Sequence, residues 1–156
     1  MLKIPIKHVR FEGFTDTKIM PIKNLIIEFD DEYRILHLSA APPIHIETKK
    51  ELTETCHAVG SQLEKYAANE RCFMVVNLSA MIIEPKLTDC YSNKIQNLCE
   101  SYLYQGGLLR YGFQITRVTA KLGYEKGKLK DLLMFSNKQE AYNYIYDLIK
   151  FQKQKV

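Results

Sequence analysis

No cysteine in this chain stands in a C-x-x-C pair, and only Cys56, Cys72, Cys90 and Cys99 are present. Nothing points to secretion, so they read as reduced thiols and not as a disulfide framework. Cys90 and Cys99 lie about 180° apart on one helix at roughly 100° per residue, and cannot share a ligand. The histidines, His8, His37, His45 and His57, make no H-x-x-x-H spacing. No metal and no cofactor are expected on these grounds. No apolar stretch approaches the roughly 18 residues that span a bilayer, and no basic start leads into an apolar run as a secretory leader would. A cytosolic chain without a membrane span is expected. The one glycine-rich run, GGLLRYG, matches neither the dinucleotide fingerprint nor the P-loop, which need glycines at fixed spacing to admit phosphate. Internal repeats and low-complexity segments are also missing.

What is present suits one globular domain. The 156 residues are 46% apolar and 26% charged, enough chain to bury a core. The formal charge of +4 is modest, but its placement is uneven. Between Gly106 and Asp131, six basic residues (Arg110, Arg117, Lys121, Lys126, Lys128, Lys130) face two acidic ones (Glu125, Asp131), a net of +4. Lys150, Lys153 and Lys155 add a basic tail over 151–156.

Residues 1–23 show no sustained period and read as an N-terminal extension, with a short edge strand at Lys7–Phe11. The run NLIIEF-DDE-YRILHLS predicts a hairpin around an acidic turn, which Pro42 and Pro43 stop. Thr48 and Glu51 form a capping box before a helix whose Leu52, Cys56, Val59, Leu63 and Tyr66 share a face. CFMVVNLS, residues 72–79, reads as a central strand buried on both faces. AMIIEPKLTD reads as a loop. Thr88 or Asp89 then caps a second helix with Tyr91, Ile95, Leu98, Cys99, Tyr102 and Leu103 inward, closed by Gly106–Gly107. FQITRV and LLMF predict two further strands. Ser136 or Asn137 caps a last helix with Glu140 reaching back and Ala141, Ile145, Leu148 and Ile149 inward. The order predicts an α/β domain over 24–150, with a mixed, largely parallel sheet of about five strands flanked by three or more helices.

Three stretches resemble one family. MVVNLSAM (74–81) resembles the strand-and-turn signature of STAS domains, the fold of bacterial anti-sigma-factor antagonists, and LLMFSNKQEAYNYI (132–145) resembles their closing strand and helix. YSNKIQNLCESYLYQGGLLRYGF resembles the helix and return strand between them. The nearest subtype is the SpoIIAA-like group. The resemblance implies a non-enzymatic regulatory domain that docks to a protein partner in bacterial signalling. It also implies a docking surface over the 79–89 loop and the next helix, including Ser79, Glu84 and Thr88. Regulatory members carry a phosphorylated serine at the start of that helix. Lys86 stands at that position here, and Asn77 replaces the signature aspartate. Thr88 is then the nearby hydroxyl where phosphate would meet the favourable helix end.

The basic run allows other readings. Gly106–Gly107 can be a plain helix stop, with Phe113, Ile115 and Val118 in the core. Alternatively Arg110, Tyr111, Gln114, Arg117 and Lys121 meet a carboxylate or phosphate, for which the planar guanidinium fork is suited. By the two-residue period Arg117 shares a face with Phe113 and Ile115, and Gln114 lies opposite. A binding module for an anionic small ligand, held by Arg110 and Arg117, is thus the second reading, and a weak nucleic-acid binder the third. Nothing quotes an enzyme. The side chains of Cys56 and His57 diverge by about 100° on a helix and cannot pair as nucleophile and base. Asp30, Asp31 and Glu32 sit in a turn where acids are structurally favoured. Of Tyr142, Tyr144 and Tyr146, the middle one lies opposite its neighbours, and at least one is expected at the surface.

Overall fold

The computed structural model describes residues 6–10, 24–112 and 133–154. Strands β1 (Ile6–Arg10), β2 (Leu25–Asp30) and β3 (Ile35–Ala40) come first, then β4 (Ile44–Ile46) and helix α1 (Lys49–Tyr66). Strand β5 (Cys72–Asn77), β6 (Met81–Ile83), helix α2 (Thr88–Tyr102), β7 (Leu103–Tyr111), β8 (Leu133–Phe135) and helix α3 (Lys138–Gln154) follow. The main sheet runs β1-β2-β3-β5-β7-β8. From β2 onward it is the expected mixed, mostly parallel sheet: β2 and β3 pair antiparallel, and β3, β5, β7 and β8 pair parallel. Strand β1 adds an antiparallel edge from the N-terminal extension.

Period-two alternation divides the core. Cys72, Met74 and Val76 of β5 pack with Leu52, Val59 and Leu63 of α1 and Tyr91 and Ile95 of α2. Phe73 and Val75 face the other way and pack with Ala141, Tyr142 and Ile145 of α3. Helices therefore cover both faces, and the five residues Cys72–Val76 are buried throughout. This is why β5 reads as an unbroken apolar run.

The N-terminal caps of α1 and α3 lie where the sequence puts them. The Glu51 N–H donates to Thr48 Oγ1 at 3.1 Å and the Thr48 N–H donates back to Glu51 Oε1. At α3, Asn137 Oδ1 accepts from the Glu140 N–H at 2.9 Å, and Glu140 Oε1 reaches back to the Ser136 N–H. Helix α3 continues to Gln154, through most of the basic 151–156 segment. No helix among the described residues is long and apolar enough to cross a membrane.

Two local readings are corrected here. Helix α2 stops at Tyr102 because Leu103 is already extended, and Gly106–Gly107 lie inside β7. Cys72 aligns with Leu103 and Met74 with Leu108, so five residues of β7 advance while two of β5 do. The bulge needs glycine: Gly106 has φ +71°, and a Cβ on Gly107 would stand 2.8 Å from the Tyr104 carbonyl oxygen. The strand after α2 is therefore Leu103–Tyr111, and FQITRV lies outside the described residues. Finally, AMIIEPKLTD is not a simple loop, since Met81–Ile83 pairs in parallel with Ile44–Ile46.

Candidate functional site

The segment after β5 builds one edge of the molecule. At its start Asn77 Oδ1 accepts from the Ser79 N–H at 3.0 Å, and Asn77 Nδ2 donates to Ser39 Oγ. Strand β6 then joins β4 as a two-stranded parallel ribbon, extended by the Glu84 N–H donating to the Ile46 carbonyl at 3.1 Å. A short 3-10 turn, Pro85–Leu87, follows. It is closed by the Leu87 N–H on the Glu84 carbonyl and by Thr88 Oγ1 on the Pro85 carbonyl. Leu87 is buried beneath it, while Pro85, Lys86 and Asp89 are exposed and Glu84 is half-buried.

On the outer side of the ribbon one imidazole meets two carboxylates. His45 Nε2 lies 2.6 Å from Glu84 Oε2, and Nδ1 lies 3.2 Å from Glu47 Oε2. His45 and Glu47 share a strand face by the two-residue period, and Ile46 between them is buried at 1% exposure. The alternation in Ile44-His45-Ile46-Glu47 was a readable strand signal after Pro43. Glu84, 39 positions away in sequence from His45, arrives only through the parallel pairing.

Among the described residues, those singled out from sequence do not form one site. Ser79 sits at the start of this edge, against Gly112, where an added Cβ would meet Ser79 Oγ at 2.5 Å. Thr88 is buried, and its hydroxyl donates to the Pro85 carbonyl. Leu87, not Thr88 or Asp89, occupies the N-cap of α2. Arg110 is buried at 5% exposure, its register partners being Val76 on β5 and Met134 on β8. It shares the α1/α2 face of the sheet with Leu108, and is not a surface anchor. Tyr111 is half-buried and faces α3, so Arg110 and Tyr111 diverge. Gln114, Arg117 and Lys121 lie outside the described residues.

Tyr111 instead joins a polar cluster under α3. Glu28 and His37 are direct cross-strand partners. Glu28 Oε1 lies 3.2 Å from His37 Nδ1, and His37 Nε2 lies 2.7 Å from Tyr111 Oη. Lys138 Nζ reaches Glu28 Oε1 at 3.4 Å and lies 5.4 Å from the Tyr142 ring centroid. Burial, with the nearby Lys138 charge, lowers the His37 pKa to about 4 against the opposing pull of Glu28. His37 is therefore neutral at pH 7, and the Glu28 contact is a hydrogen bond from Nδ1–H and not a full ion pair. Burial pushes Tyr111 up to about 12, so its hydroxyl keeps the hydrogen that Nε2 accepts. Tyr142 is pushed up further by the same cause.

The thiols are muted as well. Burial raises Cys56 to about 12, and Cys72 and Cys99 to about 11, so the nucleophilic thiolate is suppressed. Of the three tyrosines on α3, Tyr142 is buried and Tyr144 is 36% exposed. Tyr144 lines an open groove of about 770 Å³ with Tyr33, Phe73, Tyr104, Leu148 and Ile149, at the opposite end of the parallel strands. No family model, no curated protein and no solved structure matches the chain.

Proposed function

We propose that this chain is a docking domain that works by protein–protein contact, as the STAS and SpoIIAA-like resemblance implies. Its contact surface is the edge built by residues 79–89. One observation carries the reading: the segment is a ribbon and turn tied down by backbone pairing to β4 and by the Leu87 and Thr88 hydrogen bonds. It holds Pro85, Lys86 and Asp89 outward beside half-buried Glu84. A surface that is ordered before it binds loses less conformational entropy on binding. The titratable groups inside the fold fit the same reading. His37 is held neutral with both ring nitrogens engaged, and three thiols are held protonated. Docking here is set by fixed charges and not by a Thr88 phosphoswitch. The partner presents an acidic group to Lys86 and a basic group to Asp89.

The test is capture of a partner by the full chain, repeated with Lys86→Glu and Asp89→Lys. A partner lost with both charge reversals supports the surface, and one retained by both rejects it. A thermal-shift screen runs alongside. A rise in midpoint with phosphate esters or acidic vesicles would favour the anionic-ligand reading instead. Single-stranded nucleic acid bound with a steep salt dependence would favour the third.

A further inference from the structure

We propose that His45, Glu47 and Glu84 form a site for one divalent transition-metal ion, zinc being the best match, on the outer face of the β4–β6 ribbon. The inference stands on donor chemistry and backbone geometry and does not depend on the docking reading.

One ligand atom from each of the three residues already lies within 4.8 Å of the other two. A tetrahedral ion with donors at about 2.1 Å holds them roughly 3.4 Å apart, so the 2.6 Å contact of His45 with Glu84 must open and the wider spacings close, each by on the order of 1 Å. The broad terminal torsion of a glutamate supplies such a movement at small cost. At present the imidazole spans the two carboxylates with its two nitrogens. A metal would replace the ring proton of one nitrogen and take the carboxylates on its other positions. Two carboxylates and a neutral imidazole sum to two negative charges, matching a divalent cation. The nitrogen donor favours zinc and its transition-metal neighbours over calcium or magnesium, which take oxygen ligands.

Backbone hydrogen bonds and the core hold all three residues in place. Glu84 is fixed by its N–H on the Ile46 carbonyl and by Pro85 at the first position of the turn. The Glu47 N–H donates to Glu51 Oε1 at 2.8 Å, which ties it to the capping box of α1. Ile46 and Ile83, alternating with the ligands, are anchored in the core at 1% and 8% exposure. Sites placed on regular elements with fixed backbones keep their geometry better than sites on unsupported loops. Three protein donors leave the fourth position of the ion open, as in zinc sites that hold water or an incoming group.

The full chain is titrated with zinc by calorimetry and with cobalt by visible absorption. The expected result is one equivalent bound without a thiolate charge-transfer band, and an unfolding midpoint that rises with zinc. Binding is lost in His45→Ala and at least tenfold weaker in Glu47→Gln and in Glu84→Gln. The unfolding midpoint of each metal-free variant checks its fold. Should His45→Ala fail to fold, Glu84→Gln decides, because it keeps the backbone bond to Ile46. Absence of saturable binding by the unaltered chain overturns the proposal. So does binding unchanged in the variants, or a thiolate band that places the metal on the cysteines.

Discussion

The Tyr111 hydroxyl donates to His37 Nε2 at 2.7 Å, reaching across β5 to join the end of β7 to the middle of β3. The contact satisfies a buried ring nitrogen, and with Glu28 on Nδ1 it selects one neutral tautomer. It also makes His37 a reporter of folding.

His37 titrates near pH 4 in the fold and near 6.5 when unfolded. Between these values the unfolded chain holds the proton and the folded chain does not. Stability from this group is therefore complete above about pH 6.5 and is lost as pH falls towards 4, on the order of 3 kcal/mol in all. Urea unfolding across that window should show the decline in the unaltered chain and a flatter profile in His37→Gln. Identical profiles would mean that His37 is not held neutral.

Gly106 and Gly112 both have positive φ but differ in their surroundings. A Cβ on Gly106 meets nothing within 4 Å, while one on Gly112 stands 2.9 Å from the Ser79 backbone nitrogen. Gly106→Ala carries backbone strain alone, about 1 kcal/mol, and Gly112→Ala adds a displacement of the 77–79 turn, for about 2–3 kcal/mol. Denaturant midpoints would rank the two. The reverse order would contradict the close approach at Ser79.

Cys72 is fully buried and has its pKa raised to about 11. Alkylation at mildly alkaline pH should leave it untouched in the folded chain and modify it readily in denaturant. Cys56 and Cys99 are partly accessible but share the shift, and should react at least about a hundredfold more slowly than a free thiol. Mass mapping of labelled peptides reads this directly, and rapid labelling of Cys56 in the folded chain would count against its burial.

Thr48→Ala removes the hydroxyl that caps α1 and should destabilise the chain by about 1 kcal/mol with an unchanged denaturant slope. An unaltered midpoint would mean that the Glu51 carboxylate caps the helix end alone.

Much of the architecture was legible because local chemistry and tertiary structure agree. Thr48 with Glu51, and Asn137 with Glu140, are contacts made within four residues, so spacing alone reveals them. The apolar run in β5 survives in a strand covered on both faces. Disagreement begins where a distant strand changes the local balance. Gly106–Gly107 is a good helix stop read by itself, but pairing with β5 draws the chain into β7 from Leu103 and turns the glycines into a bulge. Arg110, a surface cation by type, is carried inward by the same pairing.

Helix periods, the N-terminal caps of α1 and α3, the central strand and the mixed sheet class follow from residue order, since each rests on side chains a few positions apart. The grouping of Glu28, His37 and Tyr111, and of His45, Glu47 and Glu84, does not. His37 and Tyr111 stand 74 positions apart and His45 and Glu84 stand 39 apart, and only strand register brings them within reach. A one-residue slip would turn each of these side chains to the other face of its sheet, so the candidate sites belong to the pairing and not to any single segment.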